Sequence, residues 1–163
     1  MNAKIPFDMN RHIPFKTKVG YSLGGTGDAI AYDFIGSFLM FFLTDLAGIS
    51  PAIAGSIIGV AVLWDAITDP IIGMLSDRCK SKYGKKRPFI LFSAIPLAVV
   101  MIMLFHVVGF EGNAKVAYYV IFAMLFWTAY TVFNIPYFAL GGCLTVNTDE
   151  RTRIRSIAQV FNF

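Results

Sequence analysis

Charge is what this sequence is short of. Asp, Glu, Lys and Arg make up 15% of its 163 residues, where a soluble domain carries about 25%. No Lys or Arg falls within residues 21–43, 53–75, 89–110 or 116–140. Windows of that length and composition cannot make a water-facing surface, which excludes an ordinary soluble domain. Cysteine is scarce too: Cys79 and Cys143 give neither a disulfide framework nor a metal signature. No Ser/His/Asp, Cys/His or zinc-ligand constellation occurs, so an enzyme is not expected and no cofactor is called for. The basic residues lack the aromatic platform that nucleic-acid binding needs, so the sequence pI near 9.1 does not point to that partner.

What the sequence has in plenty is apolar residues, at 56%, with a mean hydropathy of +0.64. About 20 residues of helix cross the roughly 30 Å hydrocarbon core, and helices are required because backbone groups in lipid must be satisfied within the segment. The expectation is therefore an all-α membrane protein. It would have a polar tail over residues 1–19 and complete spans near 21–43, 53–75, 89–110 and 116–140, with an incomplete fifth from about 154. The segment after the tail is too long for a signal-peptide core and reads as a retained span. Of the 14 Lys and Arg, 13 lie in the tail, in residues 77–88 or in residues 146–155. The positive-inside rule puts these stretches in the cytoplasm of a multi-pass protein of the cell membrane, N-terminus inside. Cys79 and Cys143 then lie in or beside cytoplasmic segments, where thiols stay reduced.

Against that apolar background four acids lie within spans: Asp28, Asp33, Asp65 and Asp69. Each costs about 2.5–3.5 kcal/mol near the bilayer centre, and no basic residue of the same spans neutralises it. A cation, a proton or a partner helix must do so. Asp65 and Asp69 are one helical turn apart, about 40° around the axis. Two carboxylates on one face repel unless a cation lies between them or one holds a proton. Oxygen-rich sites suit hard cations such as Na⁺; the bland alternative is an ion pair with a basic residue on another helix. Pro70 removes a backbone donor beside the pair and should kink the helix.

Asp28, Asp65, Asp69 and Asn134 fall within roughly 9–16 Å of the cytoplasmic side at 1.5 Å per residue. Tyr130, Asn134 and Phe138 recur at i, i+4, i+8, an aromatic, amide, aromatic stripe that suits a polar organic ligand but also serves ordinary helix packing. Pro136 disturbs the helix beside it. Gly20 with Gly24, and Gly55 with Gly59, have the spacing of close helix approach. His106 reads as an interfacial histidine, and His12 carries no signal.

Residues 73–88 read GMLSDRCKSKYGKKRP. This stretch resembles the cytoplasmic loop between helices 2 and 3 of the major facilitator superfamily, in which a Gly, an Asp-Arg pair and a later Gly with basic residues lock the inward side. With WDAITDPIIG at 64–73, FFLTDLAGIS at 41–50 and NIPYFAL at 134–140, the chain is similar to the glycoside, pentoside and hexuronide to cation symporters. Their best known member is the melibiose permease. The resemblance runs from about Lys18 to Arg153 and implies two six-helix halves with the binding site between them. This chain would then be an N-terminal fragment whose C-terminal half is missing. The family roles fall on Asp65 and Asp69 as cation ligands, for Na⁺ or H⁺, joined by Asn134. They fall on Asp28, Tyr130, Asn134 and Phe138 at the substrate site, and on Gly73, Asp77, Arg78, Gly84, Lys85 and Arg87 in the conformational loop. Asn134 and Phe138 stand where the melibiose permease has an aspartate and a tryptophan, and Asp28 and Ala29 replace a lysine and an aspartate, which weakens a galactoside assignment.

The resemblance implies cation-coupled symport of a sugar or glycoside, with a monovalent cation and the lipid bilayer as partners. The alternative, from another class, is a small membrane protein that does not transport and packs against partner helices.

Overall fold

The computed structural model describes residues 15–78, 87–109 and 111–144. Among them are four α-helices and no strand: α1 (Phe15–Phe41), α2 (Pro51–Arg78), α3 (Arg87–Leu104) and α4 (Asn113–Leu144), with a π-helical turn at Phe42–Leu46 after α1. The chain divides into two compact units, Ala31–Tyr137 and a second made of Met1–Ile30 with Phe138–Phe163. The expected fifth span lies outside the described residues.

Three helical stretches are long and apolar enough to cross a membrane: Gly24–Leu46, Pro51–Arg78 and Asn113–Leu140. The fourth, Pro88–Leu104, is shorter. The sequence reading extended this span to residue 110, because residues 105–110 are largely apolar. The chain instead leaves the helix at Leu104. Two tyrosines of α4 take up carbonyls at that end: Tyr118 Oη donates to Met103 O at 2.8 Å and Tyr119 Oη to His106 O at 3.0 Å. Helix ends carry orphan carbonyls, and these hydroxyls supply donors there. Val108 is buried, so the apolar residues past Leu104 pack as a loop. The 18 residues of α3 span about 27 Å, a mismatch that local thinning of the bilayer can absorb.

The link from α1 to α2 also follows from its sequence. Ala47 N–H donates to Phe42 O and Ile49 N–H to Leu43 O, both at 2.9 Å, closing the helix end. Gly48 has φ +68°, the left-handed conformation that glycine adopts without a Cβ penalty. Pro51 then takes the first position of α2, where its missing N–H is no loss.

In the unit Ala31–Tyr137 the core is one cluster. Ala31, Ile35, Leu39 and Phe42 supply it from the first helix, Ala54, Ile57 and Ala61 from α2, and Tyr119, Ala123, Phe126 and Tyr130 from α4. The spacing in each set is three or four residues, the period of one helix face. On α3, Leu91, Phe92, Ile95 and Ile102 are about 70–80% exposed, far more apolar surface than a protein in water tolerates. Lipid tails are as apolar as leucine, so packing density and hydrogen bonds hold the helices together. The buried hydroxyls of Thr68, Ser76 and Ser93 bond back to their own turn, as Ser93 Oγ does to Ile90 O at 3.1 Å.

Of the glycines expected to permit close approach, Gly20, Gly55 and Gly59 face open space. Gly73 does meet a neighbouring helix: an added Cβ there would lie 3.8 Å from Ile135 Cγ2 of α4.

In the second unit, the described residues are the first turns of α1 up to Ile30 and the last turns of α4 from Phe138. Asp28 is buried and Phe138 is exposed.

Candidate cation and substrate site

The facing sides of α2 and α4 carry the polar chemistry of the unit Ala31–Tyr137. Asp65 and Asp69 share one face of α2, as their spacing requires. Opposite them Thr131 is buried on α4, its hydroxyl 2.6 Å from Asp65 Oδ1 and 3.1 Å from Asp69 Oδ1. A hydroxyl owns a single proton, so it donates to one carboxylate at a time. The geometry therefore concentrates two acidic oxygens around one donor.

Two further contacts flank this centre. Trp64 Nε1 donates to Thr128 Oγ1 at 2.9 Å, and Thr128 donates in turn to Met124 O at 2.8 Å. Thr128 is three residues before Thr131, so the bond fixes α2 against α4 about one turn from the carboxylates. Toward the other end of α4, Asn134 Nδ2 donates to Tyr130 Oη at 3.0 Å. That bond aims the amide nitrogen at Tyr130 and leaves the amide oxygen as the end directed elsewhere. At Thr68 the side chain is buried and bonds back to Asp65 O at 3.1 Å, which ties the helix turn between the acids.

Helix α2 runs unbroken through Pro70. The proline has no N–H for the carbonyl of Ala66 four residues earlier, so a backbone oxygen beside the acids loses its helical donor. Among the described residues no group of three or more His, Cys, Asp or Glu comes together. The donor set at Asp65, Asp69 and Thr131 is oxygen alone, the chemistry of a hard ion or a proton.

Of the sequence-derived set, the structure brings Asp65 and Asp69 together on Thr131 and joins Asn134 to Tyr130. Asp28 and Phe138 belong to the other unit. Asp77 and Arg78 close α2, exposed, and Gly73 sits against α4. Arg87 opens α3, and Gly84 and Lys85 lie outside the described residues. Sequence reasoning missed Thr131, Thr128 and Trp64. The signal was available: Thr128, Thr131 and Asn134 are spaced by three, a polar row along an otherwise apolar helix.

Comparison with known proteins gives this arrangement its context. Residues 20–163 match the model of a family described as MFS/sugar transport protein. The chain belongs to that family. Its relatives include the inner membrane symporter YicJ of Escherichia coli, 39% identical over 86% of this chain and 31% of the relative. The putative glycoside/cation symporter YagG of the same organism is 35% identical over 88% of this chain and 31% of the relative. A sodium-dependent lysophosphatidylcholine symporter, 1-A, of Danio rerio is 36% identical over 90% of this chain and 27% of its own length. The chain thus spans about a third of the length of the curated relatives it matches. The family is one of multi-pass membrane transporters, not of enzymes.

Proposed function

We propose that this chain supplies the cation-coupling centre of a symporter that carries a sugar or glycoside together with Na⁺ or H⁺. The observation that supports it best is the Thr131 hydroxyl within 2.6 and 3.1 Å of two intramembrane carboxylates. An empty pair of like charges at that depth is unfavourable, and loading a cation relieves the repulsion. Asn134, one turn beyond Thr131 on α4, and Tyr130, to which it is hydrogen-bonded, form the substrate side. Loading the cation would then stabilise the wall against which the substrate binds, which couples the two ligands as a shared equilibrium. YagG is named for glycosides and cations, which favours a sugar over a lipid.

The test is accumulation in proteoliposomes by the complete protein that its gene encodes. A panel of labelled glycosides and lysophosphatidylcholine is offered with a Na⁺ gradient, with a pH gradient and with neither. Glycoside accumulation driven by one of the gradients is expected. Asp65→Asn and Asp69→Asn should each abolish accumulation while downhill movement persists. Accumulation of the lysolipid alone would refute the sugar assignment, and full accumulation by both variants would refute the cation site.

We place the N-terminus and residues 77–88 in the cytoplasm, on the strength of 13 of the 14 basic residues. External labelling of Lys82→Cys and Asn113→Cys decides this: only position 113 should react. Asp77 and Arg78 act in conformational exchange. Asp77→Asn should slow transport and alter substrate affinity only through shifted populations; complete loss of binding in folded protein would contradict that role.

A further inference from the structure

Resting on the glycoside reading, we propose that Tyr32 is the residue that receives the sugar ring, stacking its exposed aromatic face against the ring's C–H face. Tyr130 was, with Phe138, an aromatic that sequence spacing suggested for such a role, but only 8% of it is exposed. Its ring is hemmed in by Phe126, Trp127 and Tyr32, at centroid distances of 6.1, 5.7 and 6.0 Å. Tyr32 also meets Trp127 edge-on at 6.2 Å. Rings this close leave no space for a ligand among them. What the cluster presents outward is Tyr32, 53% exposed.

The side of α1 that carries Tyr32 is not a lipid face. Tyr32, Asp33, Gly36 and Ser37 are exposed together on one flank, and Phe34, Phe38 and Phe41 are exposed on the other. The phenylalanine flank suits lipid. An aspartate facing lipid would cost about 2.5–3.5 kcal/mol, so the Asp33 flank faces water or protein. Gly36 is one turn from Tyr32, and the place of its missing Cβ has nothing within 4 Å. A flat ligand can therefore lie along this flank without meeting a side chain at that turn. Tyr130, in contact with the Tyr32 ring, holds the Asn134 amide through its hydroxyl. An apolar face next to hydrogen-bonding groups matches a sugar, which offers C–H bonds on its faces and hydroxyls at its rim.

The test measures binding of methyl glycosides and the matching 4-nitrophenyl glycosides of galactose, glucose, xylose and glucuronic acid to the complete protein. Tyr32→Ala and Tyr32→Leu should weaken the methyl and nitrophenyl member of each bound pair equally, by roughly tenfold, the size of one aromatic contact. Tyr32→Phe should keep wild-type affinity, since the ring and not the hydroxyl makes the contact. A Tyr32→Leu protein that binds as the wild type does would overturn the proposal. So would weakening confined to the nitrophenyl compounds, which would assign Tyr32 to the aglycone. Wild-type protein that binds no glycoside would instead overturn the glycoside reading on which this one rests.

Discussion

Two parts of the unit Ala31–Tyr137 are built on opposite rules. Around Phe42, Phe105 and Tyr119 the rings pack at centroid distances of 5.0 and 5.9 Å. There long polar side chains end on backbone carbonyls: Lys115 Nζ on Ala47 O at 3.1 Å, Tyr118 on Met103 O and Tyr119 on His106 O. Around Thr131 the polar groups end on one another, Thr131 with Asp65 and Asp69, Trp64 with Thr128, and Asn134 with Tyr130. Side chains that satisfy the backbone close helix ends and hold the fold. Side chains that satisfy each other, with two acids around one proton, keep a demand for a further ligand. Under the proposed function the first region is the frame and the second is the working part.

The difference can be broken most sharply at Thr131. Thr131→Val keeps the shape and removes the shared donor; a hydrogen bond to a charged group is worth about 1.5–3 kcal/mol. Cation affinity, read as the Na⁺ or pH dependence of substrate binding, should fall by roughly 10- to 100-fold, with Thr131→Ser close to wild type. Equal cation dependence in the valine variant would place Thr131 with the frame. A smaller effect of the opposite kind is expected at the other region. Tyr119→Phe and Lys115→Met each remove a bond to a carbonyl and should cost about 1 kcal/mol. Thermal unfolding in detergent should begin at lower temperature while cation dependence stays unchanged. A shifted cation response would mean that the two regions are not separate.

The least effect is expected where α2 and α4 meet beyond the acids. Gly73→Ala adds a Cβ at an ordinary 3.8 Å from Ile135 Cγ2, so stability should change by no more than about 0.5 kcal/mol. Should it lower transport strongly without unfolding the protein, α2 must move against α4 at this point during the cycle.

Residue types and their periods alone fix the helices, their approximate spans and the two acids on one face of α2. Apolar windows of that length have one stable form in lipid, and residues four apart on a helix share a side whatever surrounds them. Carboxylates without basic neighbours in the spans already call for a cation, a proton or a partner helix. Tertiary structure decided the rest. The end of α3 at Leu104 depends on two tyrosine hydroxyls that come from another helix. Thr131 became the donor common to Asp65 and Asp69 only when α4 docked on α2. Tyr130 is buried and Tyr32 exposed because burial is a property of what packs over a ring, and no spacing along one helix records the neighbour that covers it.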